Sequence, residues 1–273
     1  KPVFYFPKFF HPDPTVKRQS GFLMPSFSSS SNLDSSFNLP YYHVLSNNKD
    51  FTLQPRFYTG EKLLLQSEYR EVNADSKHIL DLSSFYGNDE SHKGHLFLNT
   101  YKKLNLSYFE ESDLDIKLEQ VNNDTYLKSY SMKSPIINNT TLLESSIKVA
   151  AFKEDLSLDL ELNVYENLSK EKTDRFEYIF PNYNLLKEFE NSDSLNGAFS
   201  FNSSGSVKNY NTNVLEKVVI NDLNFKSNPK LTSKGIMNNY NFLLKNTNTD
   251  ADNSLEYEAS PNHDVGTLIE FNS

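Results

Sequence analysis

The sequence predicts an all-β fold built from antiparallel up-and-down strands, and three observations lead to this prediction. Apolar and polar residues alternate with a period of two in long segments, turn-forming clusters separate these segments, and almost no stretch has a helical period. Aromatic residues, which favour strands, are abundant, with 21 Phe and 16 Tyr among 273 residues. Because AT-rich coding would raise the same residues, the composition supports β structure without proving it.

The clearest strand covers residues 155–164. Leucine or valine occupies every second position there, alternating with Asp155, Ser157, Asp159, Glu161 and Asn163. A period of two places all the apolar side chains on one face of an extended strand. Ten residues is also about the length of a tilted strand that crosses a membrane. An amphipathic strand of a soluble sandwich remains the alternative for this segment alone.

The same pattern recurs along the chain and predicts about eleven strands in total. The other predicted strands cover residues 37–44, 51–58, 63–72, 78–85, 96–101 with a continuation over 104–108, 113–120, 143–152, 175–186, 198–210 and 214–226. Residues 233–252 are less strand-like, so we expect a helical turn or an inward-folded loop there. Short polar turns between the strands predict a meander, as in a barrel or a large antiparallel sheet.

Several functional classes are disfavoured by composition and motifs. A net charge of -9 argues against a nucleic-acid partner, and the absence of cysteine removes disulfides and thiolate metal sites. His92 and His95 are the only histidines close in sequence, and two ligands without a third predict no metal site. No phosphate-binding or nucleophile motif occurs. We therefore expect neither an enzyme nor a bound cofactor.

One group of motifs is more specific than these general patterns. In order, the chain contains HPDPTVKRQSGFLMPSF at 11–27, LPYY at 39–42, DFTLQPRFY at 50–58, EYR at 68–70 and NDTYLKSY at 123–130. This series resembles the lipopolysaccharide-assembly protein family LptD, also called OstA or Imp, and the HPDP connector is most similar to alphaproteobacterial members. Beyond about residue 135 the resemblance is mainly one of character, with YIFP at 178–181.

The resemblance implies a partial chain of a two-domain outer-membrane protein. Residues 1–10 would be the last strand of a periplasmic β-jelly roll, residues 11–20 a hinge, and residues 21–273 the N-terminal, incomplete part of a large transmembrane β-barrel. The implied function is translocation of lipopolysaccharide into the outer leaflet of the outer membrane. The implied partners are an LptE-like plug lipoprotein and an LptA-like periplasmic bridge protein. Many family members carry disulfides, which this cysteine-free segment lacks.

The resemblance also assigns roles to individual residues. Pro40 and Pro55 match prolines beside a lateral gate, where each missing amide hydrogen would loosen the sheet. Their alternative role is to mark strand ends or bulges. The hinge and lipid path would contain Pro12, Pro14, Lys17, Arg18 and Gly21. Lys17 and Arg18 would steer lipid phosphates, or else form a positive collar near the membrane.

Two other functions are compatible with the residues alone. A porin-like outer-membrane channel without lipid transport would require the strands to close within the chain. A soluble β-rich surface protein would need no detergent. The porin-like channel gives no reason for the jelly-roll strand and the hinge, and the lipid-translocating barrel is the preferred prediction.

Overall fold

The computed structural model describes residues 18–30, 34–60, 62–87, 92–211 and 213–272. The predicted jelly-roll strand at 1–10 and the hinge residues Pro12, Pro14 and Lys17 lie outside the described residues. Within them, no helix has both the length and the apolar character needed to cross a membrane.

Antiparallel strands hold about two-thirds of the described residues, and a helix holds only four, which confirms the predicted all-β fold. The strands before the longest loop are β1 Gly21–Phe22, β2 Ser26–Ser30, β3 Asp34–Asn38, β4 Tyr41–Ser46, β5 Lys49–Tyr58, β6 Lys62–Val72, β7 Ser76–Tyr86, β8 Lys93–Lys103 and β9 Glu111–Val121. That loop holds the single described helix, α1 Tyr126–Ser129. The strands after it are β10 Leu142–Lys153, β11 Leu156–Asn167, β12 Phe176–Glu188, β13 Gly197–Tyr210, β14 Val214–Ser227, β15 Lys230–Leu231, β16 Met237–Asp252 and β17 Asn262–Asn272.

The sheet is a meander in which each long strand pairs with the next one along the chain, from β4 to β14 and then through β16 to β17. At the first edge, β1 pairs with β4, and β2 pairs with β3. Among the described residues, β1, β2 and β17 pair on one side only. The sheet is therefore open at both edges.

The predicted count of about eleven strands was wrong, because the described residues form seventeen, and four segments differ from the prediction. Residues 237–252 form β16, the longest strand, because a run rich in Asn and Thr can pair fully when neighbours lie on both sides. Residues 104–108 leave the sheet in a turn, with Asn105 at a φ of 53°. The predicted strand 37–44 is interrupted at Leu39 and Pro40, and β17 was not predicted.

The two faces of the sheet differ in chemistry. One face, which we call the leucine face, carries Leu158, Leu160 and Leu162 of β11, with Ile147 and Val149 of β10 opposite them. The other face carries alternating charges in these strands and in the neighbouring β9, including ion pairs from Lys117 of β9 and Lys148 of β10 to Glu144. Residues 122–141 fold onto this second face, so we call it the loop face.

The strand connections define two ends of the sheet. The turn end has the shortest connections, at residues 47–48, 73–75 and 154–155. The loop end has the longest connection, residues 122–141, whereas connections of eight or nine residues occur at both ends, at 168–175 and 253–261 and at 189–196 and 228–236. Short turns on one side and long loops on the other are typical of bacterial outer-membrane barrels, where the loops face outwards.

Candidate functional site

The first candidate site lies at the first edge of the sheet, where prolines leave the backbone hydrogen bonding between strands incomplete. It is formed by Leu23, Pro25, Leu39, Pro40 and Pro55, and we call it the proline seam. These three prolines recur at a spacing of fifteen residues, one in each of the first three strand positions. Pro25 follows β1, Pro40 separates β3 from β4, and Pro55 lies inside β5. Pro25 was missed by the sequence interpretation, although the regular spacing could have revealed it.

Two residue pairs in the seam, Leu23–Pro40 and Leu39–Pro55, each keep only one backbone hydrogen bond. The Leu23 amide donates to the Pro40 carbonyl at 2.8 Å, and the Leu39 amide donates to the Pro55 carbonyl at 3.2 Å. In an antiparallel pair of this kind, the second bond runs in the opposite direction. Proline has no N–H, so neither return bond can form. The pairing of β1 and β2 with β3 and β4 is thus weakened at Pro40. The pairing of β3 and β4 with β5 is weakened at the neighbouring residue, Leu39.

The strand register across the seam is continuous in one of the two pairings and shifted in the other. Between β3–β4 and β5, the pairs Asn38–Arg56 and Tyr41–Leu53 keep a single register across Pro40. Between β1–β2 and β3–β4, the interval from Phe22 to Ser26 spans one more residue than its partner interval. An extra residue on one strand is a β-bulge, which bends the edge and increases its twist.

The predicted lateral-gate residues Pro40 and Pro55 therefore lie close together beside the first edge, on opposite faces of the sheet. Pro40 is buried on the loop face and Pro55 is half-buried on the leucine face. Gly21 starts β1 opposite Tyr42, and a Cβ there would meet nothing within 4 Å.

Arg18 lies beside the turn end and is held by an ion-pair cluster. Its guanidinium pairs with Asp50, donates from Nε to the Tyr42 hydroxyl at 2.9 Å, and lies 5.7 Å from the Tyr42 ring centroid. Arg70 Nε donates to the other Asp50 oxygen at 2.7 Å. The Asp50 side chain is 6% exposed, so two arginines share one buried carboxylate. Arg18 thus fastens the chain before β1 to the sheet.

The second candidate site is the folded-in loop, residues 122–141, which covers the loop face. Tyr126 and Leu127 are fully buried, and Tyr130, Met132 and Ile136 are nearly so. They pack against a cluster of buried side chains from the strands and strand ends: Tyr58, Leu64, Phe85, Phe97, Leu143 and Leu168. The loop therefore has an apolar core of its own inside the polar side of the sheet.

Hydrogen bonds between the strands and the folded-in loop add to this packing. Arg56 donates to the Tyr130 carbonyl at 2.8 Å, and Gln66 donates to the Lys133 carbonyl at 2.9 Å. The Ser83 hydroxyl lies 2.5 Å from the Tyr126 hydroxyl and 2.6 Å from His95 Nδ1. Backbone carbonyls of an irregular loop need such donors when they are buried.

The two neighbouring histidines are both occupied by protein groups. His95 stacks on Phe97 with ring centroids 4.1 Å apart, and its Nε2 lies 3.2 Å from the buried Asp81 carboxylate. His92 Nε2 lies 3.1 Å from the Ser84 hydroxyl. Across the part of the chain that the structure describes, no group of three His, Asp or Glu residues is arranged to hold a metal ion.

Arg175 ties the folded-in loop to the start of β12. Its two terminal nitrogens donate to both oxygens of Asp124, at 2.7 and 2.6 Å. These hydrogen bonds hold the pKa of the Asp124 carboxyl below its usual value. A group with a lowered pKa in the folded state stabilises that state above its unfolded pKa. The stabilisation is lost as the pH falls through the folded pKa.

We therefore expect acid to loosen the folded-in loop at this tether. Below the normal carboxyl range, protonation of Asp124 removes the charge-assisted bonds, and protease cleavage within residues 122–141 should rise. Substituting Arg175→Gln should raise cleavage at neutral pH and flatten its pH dependence between neutral and acid pH. Identical cleavage profiles for the variant and the parent would show that the pair does not hold the loop.

Comparison with known proteins gives a consistent but partial picture. No family model matches the chain. The LPS-assembly protein LptD of Pseudomonas aeruginosa strain UCBPP-PA14 is 38% identical over 93 residues, which is 34% of this chain and 10% of that protein. The same-named protein of Pseudomonas putida strain W619 is 42% identical over 90 residues, 33% of this chain and 9% of that protein.

These matches confirm the resemblance to an LptD-type protein that the motifs predicted. The aligned segments span about a tenth of the length of the curated relatives they match. Among solved structures, a bacterial polysaccharide outer membrane secretin covers 90% of this chain and 93% of its own, at 10% identity and a TM-score of 0.25. That score supports no conclusion about function.

Proposed function

We propose that this chain is part of an outer-membrane β-barrel that assembles lipopolysaccharide at the cell surface by parting laterally beside its first strands. The observation that carries the proposal is the proline seam, in which two neighbouring pairs each lack one bond at an open edge. The similarity to LPS-assembly proteins supports the lipid class. The leucine face supports an outer-membrane location, because it provides the apolar surface that a bilayer requires.

The physical basis is a difference in strength between one edge and the rest of the sheet. A backbone hydrogen bond contributes about 0.5–1.5 kcal/mol net in water, and its loss costs more where water is absent. From β5 onwards the long strands pair over 7 to 14 residues each. The seam interrupts much shorter pairings, since β1 pairs with β4 through two residues only. Separation at the first edge is therefore the easiest opening of this sheet.

An amphiphile needs two surfaces during such a transfer. Its acyl chains would leave along the leucine face, while its sugars and phosphates would cross the loop face, where charged and amide groups alternate. Arg18 would serve mainly to hold the hinge against Asp50, with Lys17, Pro12 and Pro14 completing the hinge and lipid path. Residues 1–10 would belong to the periplasmic jelly roll, and an LptA-like bridge protein and an LptE-like plug lipoprotein would act as partners.

The function is tested by a reversible lock across the first two strands. Phe22 and Tyr41 are directly opposed. They are adjacent to the hydrogen-bonded pair Leu23–Pro40 and so form a non-hydrogen-bonded pair, in which Cβ atoms approach to about 4.5–5.5 Å. This geometry suits a disulfide. With no native cysteine in the chain, Phe22→Cys with Tyr41→Cys should lock the seam when oxidised.

We expect the oxidised double variant in the full-length protein to stop delivery of new lipopolysaccharide to the surface, and a reductant to restore it. Surface labelling of newly made lipopolysaccharide is the measurement. Each single cysteine variant, and the pair Leu80→Cys with Leu98→Cys across β7 and β8, should leave delivery unchanged. Normal delivery through the locked seam would reject lateral opening here. A block of small-solute uptake alone would favour the porin-like function.

A further inference from the structure

The apolar band of the leucine face crosses the strands obliquely. One line of cross-strand partners on this face begins polar and becomes apolar: Glu71, His78, Thr100, Ile116, Ile147 and Leu162. A second line, nearer the turn end, begins apolar and becomes polar: Ala151, Leu158, Leu185, Ser203, Asn221 and Asn246. A third line, nearer still, is wholly apolar: Phe199, Phe225, Phe242 and Ile269.

This shift towards the turn end with each successive strand is the pattern that tilted strands give in a bilayer. Strands of a membrane barrel tilt by about 35–45°, so a level plane crosses successive strands at successive residues. Ion pairs on the leucine face mark the two boundaries of the band. Lys49–Glu71, at 3.1 Å, lies at the turn end of β5 and β6. Lys217–Asp250, at 2.8 Å, lies towards the loop end of β14 and β16.

A continuous row of polar side chains crosses five strands on the leucine face. It lies between the third, wholly apolar line described above and the Lys217–Asp250 pair. We call this row the amide ladder; it consists of Tyr183, Ser203, Asn221, Asn246, Asn248 and His263. Ser203 donates to the Asn221 side-chain oxygen at 2.8 Å, and Asn221 donates to that of Asn246 at 3.2 Å. Asn248 donates to the same Asn246 oxygen at 2.5 Å.

The two ends of the amide ladder are also tied in. His263 Nδ1 lies 2.7 Å from the Asn248 side-chain oxygen, and the Tyr183 hydroxyl lies 3.3 Å from that of Ser203. Gly205 makes the latter contact possible, because a Cβ there would lie 2.7 Å from the Tyr183 ring. The ring therefore extends over β13, and any larger residue at 205 would displace it.

We infer that the amide ladder binds the saccharide headgroups of glycolipids in the leaflet at the loop end. The ladder lies at the loop-end margin of an apolar band that faces the bilayer, so what meets it at that level is a lipid headgroup. Each asparagine amide has two N–H groups and an oxygen with two lone pairs. Asn246 and Asn248 use this whole capacity within the protein, whereas Asn221 keeps one N–H and one lone pair for a ligand. Neutral amides and hydroxyls complement sugar hydroxyls, whereas a phosphate site would require cations.

The inference rests on the outer-membrane location in the proposed function, but not on lateral opening or transport. The test uses the full-length protein in nanodiscs that contain phosphatidylethanolamine and lipopolysaccharide lacking O-antigen. The variant combines Asn221→Leu with Asn246→Leu. The control combines Asn202→Leu with Thr247→Leu on the loop face of the neighbouring strands. The measurement is the ratio of glycolipid to phospholipid retained on dilution into phospholipid-only discs.

Loss of about one net hydrogen bond to the headgroup should lower glycolipid retention by about threefold to tenfold in the variant, with phospholipid retention and the control unchanged. Equal retention by variant and parent would overturn the inference, as would a change confined to self-association, which would indicate a second copy as the occupant. If the first variant does not fold, Asn248→Leu with His263→Leu at the strand ends removes the loop-end half of the ladder and is judged by the same outcomes. Because no transport is measured, a negative result here leaves the seam-lock experiment unaffected.

Discussion

Substituting Leu160→Lys is expected to destabilise the membrane-inserted sheet by about 2–4 kcal/mol, the cost of a lysine near the bilayer midplane. Leu160 lies in the middle of the leucine face, with Val149 and Tyr183 opposite it on the neighbouring strands. A charge at this position would have no partner on its own face and would have to leave the hydrocarbon. Of the substitutions on the leucine face, this one should be among the most damaging.

The adjacent residue provides the matched control. Asp159 is on the loop face between Ala150 and Asn184, so Asp159→Lys keeps the lysine on the polar side of the sheet. We expect its effect to be within about 0.5 kcal/mol, as for a surface substitution. Urea titration of the full-length protein in lipid vesicles measures both. Equal destabilisation by the two variants would mean that the leucine face does not meet lipid.

Tyr126→Ala should release the folded-in loop, with a loss of about 3–5 kcal/mol, as for other buried aromatic side chains. The Tyr126 side chain is fully buried, its ring lies 5.2 Å from that of Tyr130, and its hydroxyl reaches Ser83. Truncation leaves a cavity in the apolar core of the loop and removes one of the two partners of the half-buried Ser83 hydroxyl. Protease cleavage within residues 122–141 is the direct measurement, and entry of a large antibiotic into cells is the functional one.

Tyr108→Ala is the control for this prediction. Tyr108 also lies in a connection between strands, but it is 60% exposed and at the turn end. Its truncation should change neither cleavage nor antibiotic entry. Unaltered cleavage in the Tyr126 variant would indicate that the loop is held by Arg56, Gln66 and Arg175 rather than by its apolar core.

The strands could be predicted from the sequence where one face carries apolar residues and the other carries polar residues. The leucine alternation in β11 determines strand, face and length together, because a shift of one residue would reverse every side chain. The same reasoning failed for β16, where Asn and Thr occupy both faces in turn and give no contrast in polarity. It also failed at residues 104–108, because alternation persists there while the Asn105 backbone turns.

The candidate site was predictable only in part. Missing amide hydrogens are a property of proline itself, so Pro40 and Pro55 could be singled out from the sequence. Their proximity could not, because it depends on the pairing of Leu39 with Pro55 and on the bulge after Phe22. The amide ladder was also beyond prediction, since its members come from strands up to eighty residues apart and align only through cross-strand register.

The unbroken register across Pro40 has a consequence for any cycle of parting and rejoining. The residues before and after Pro40 pair with β5 in the same register, so β3 and β4 both specify one alignment. Strands that separate at this point can close again without sliding, and a mismatch by one place would turn Phe37 and Tyr41 towards the wrong side. A weakly bonded position with the same register on both sides can therefore open and close reversibly, and it closes to a single paired arrangement.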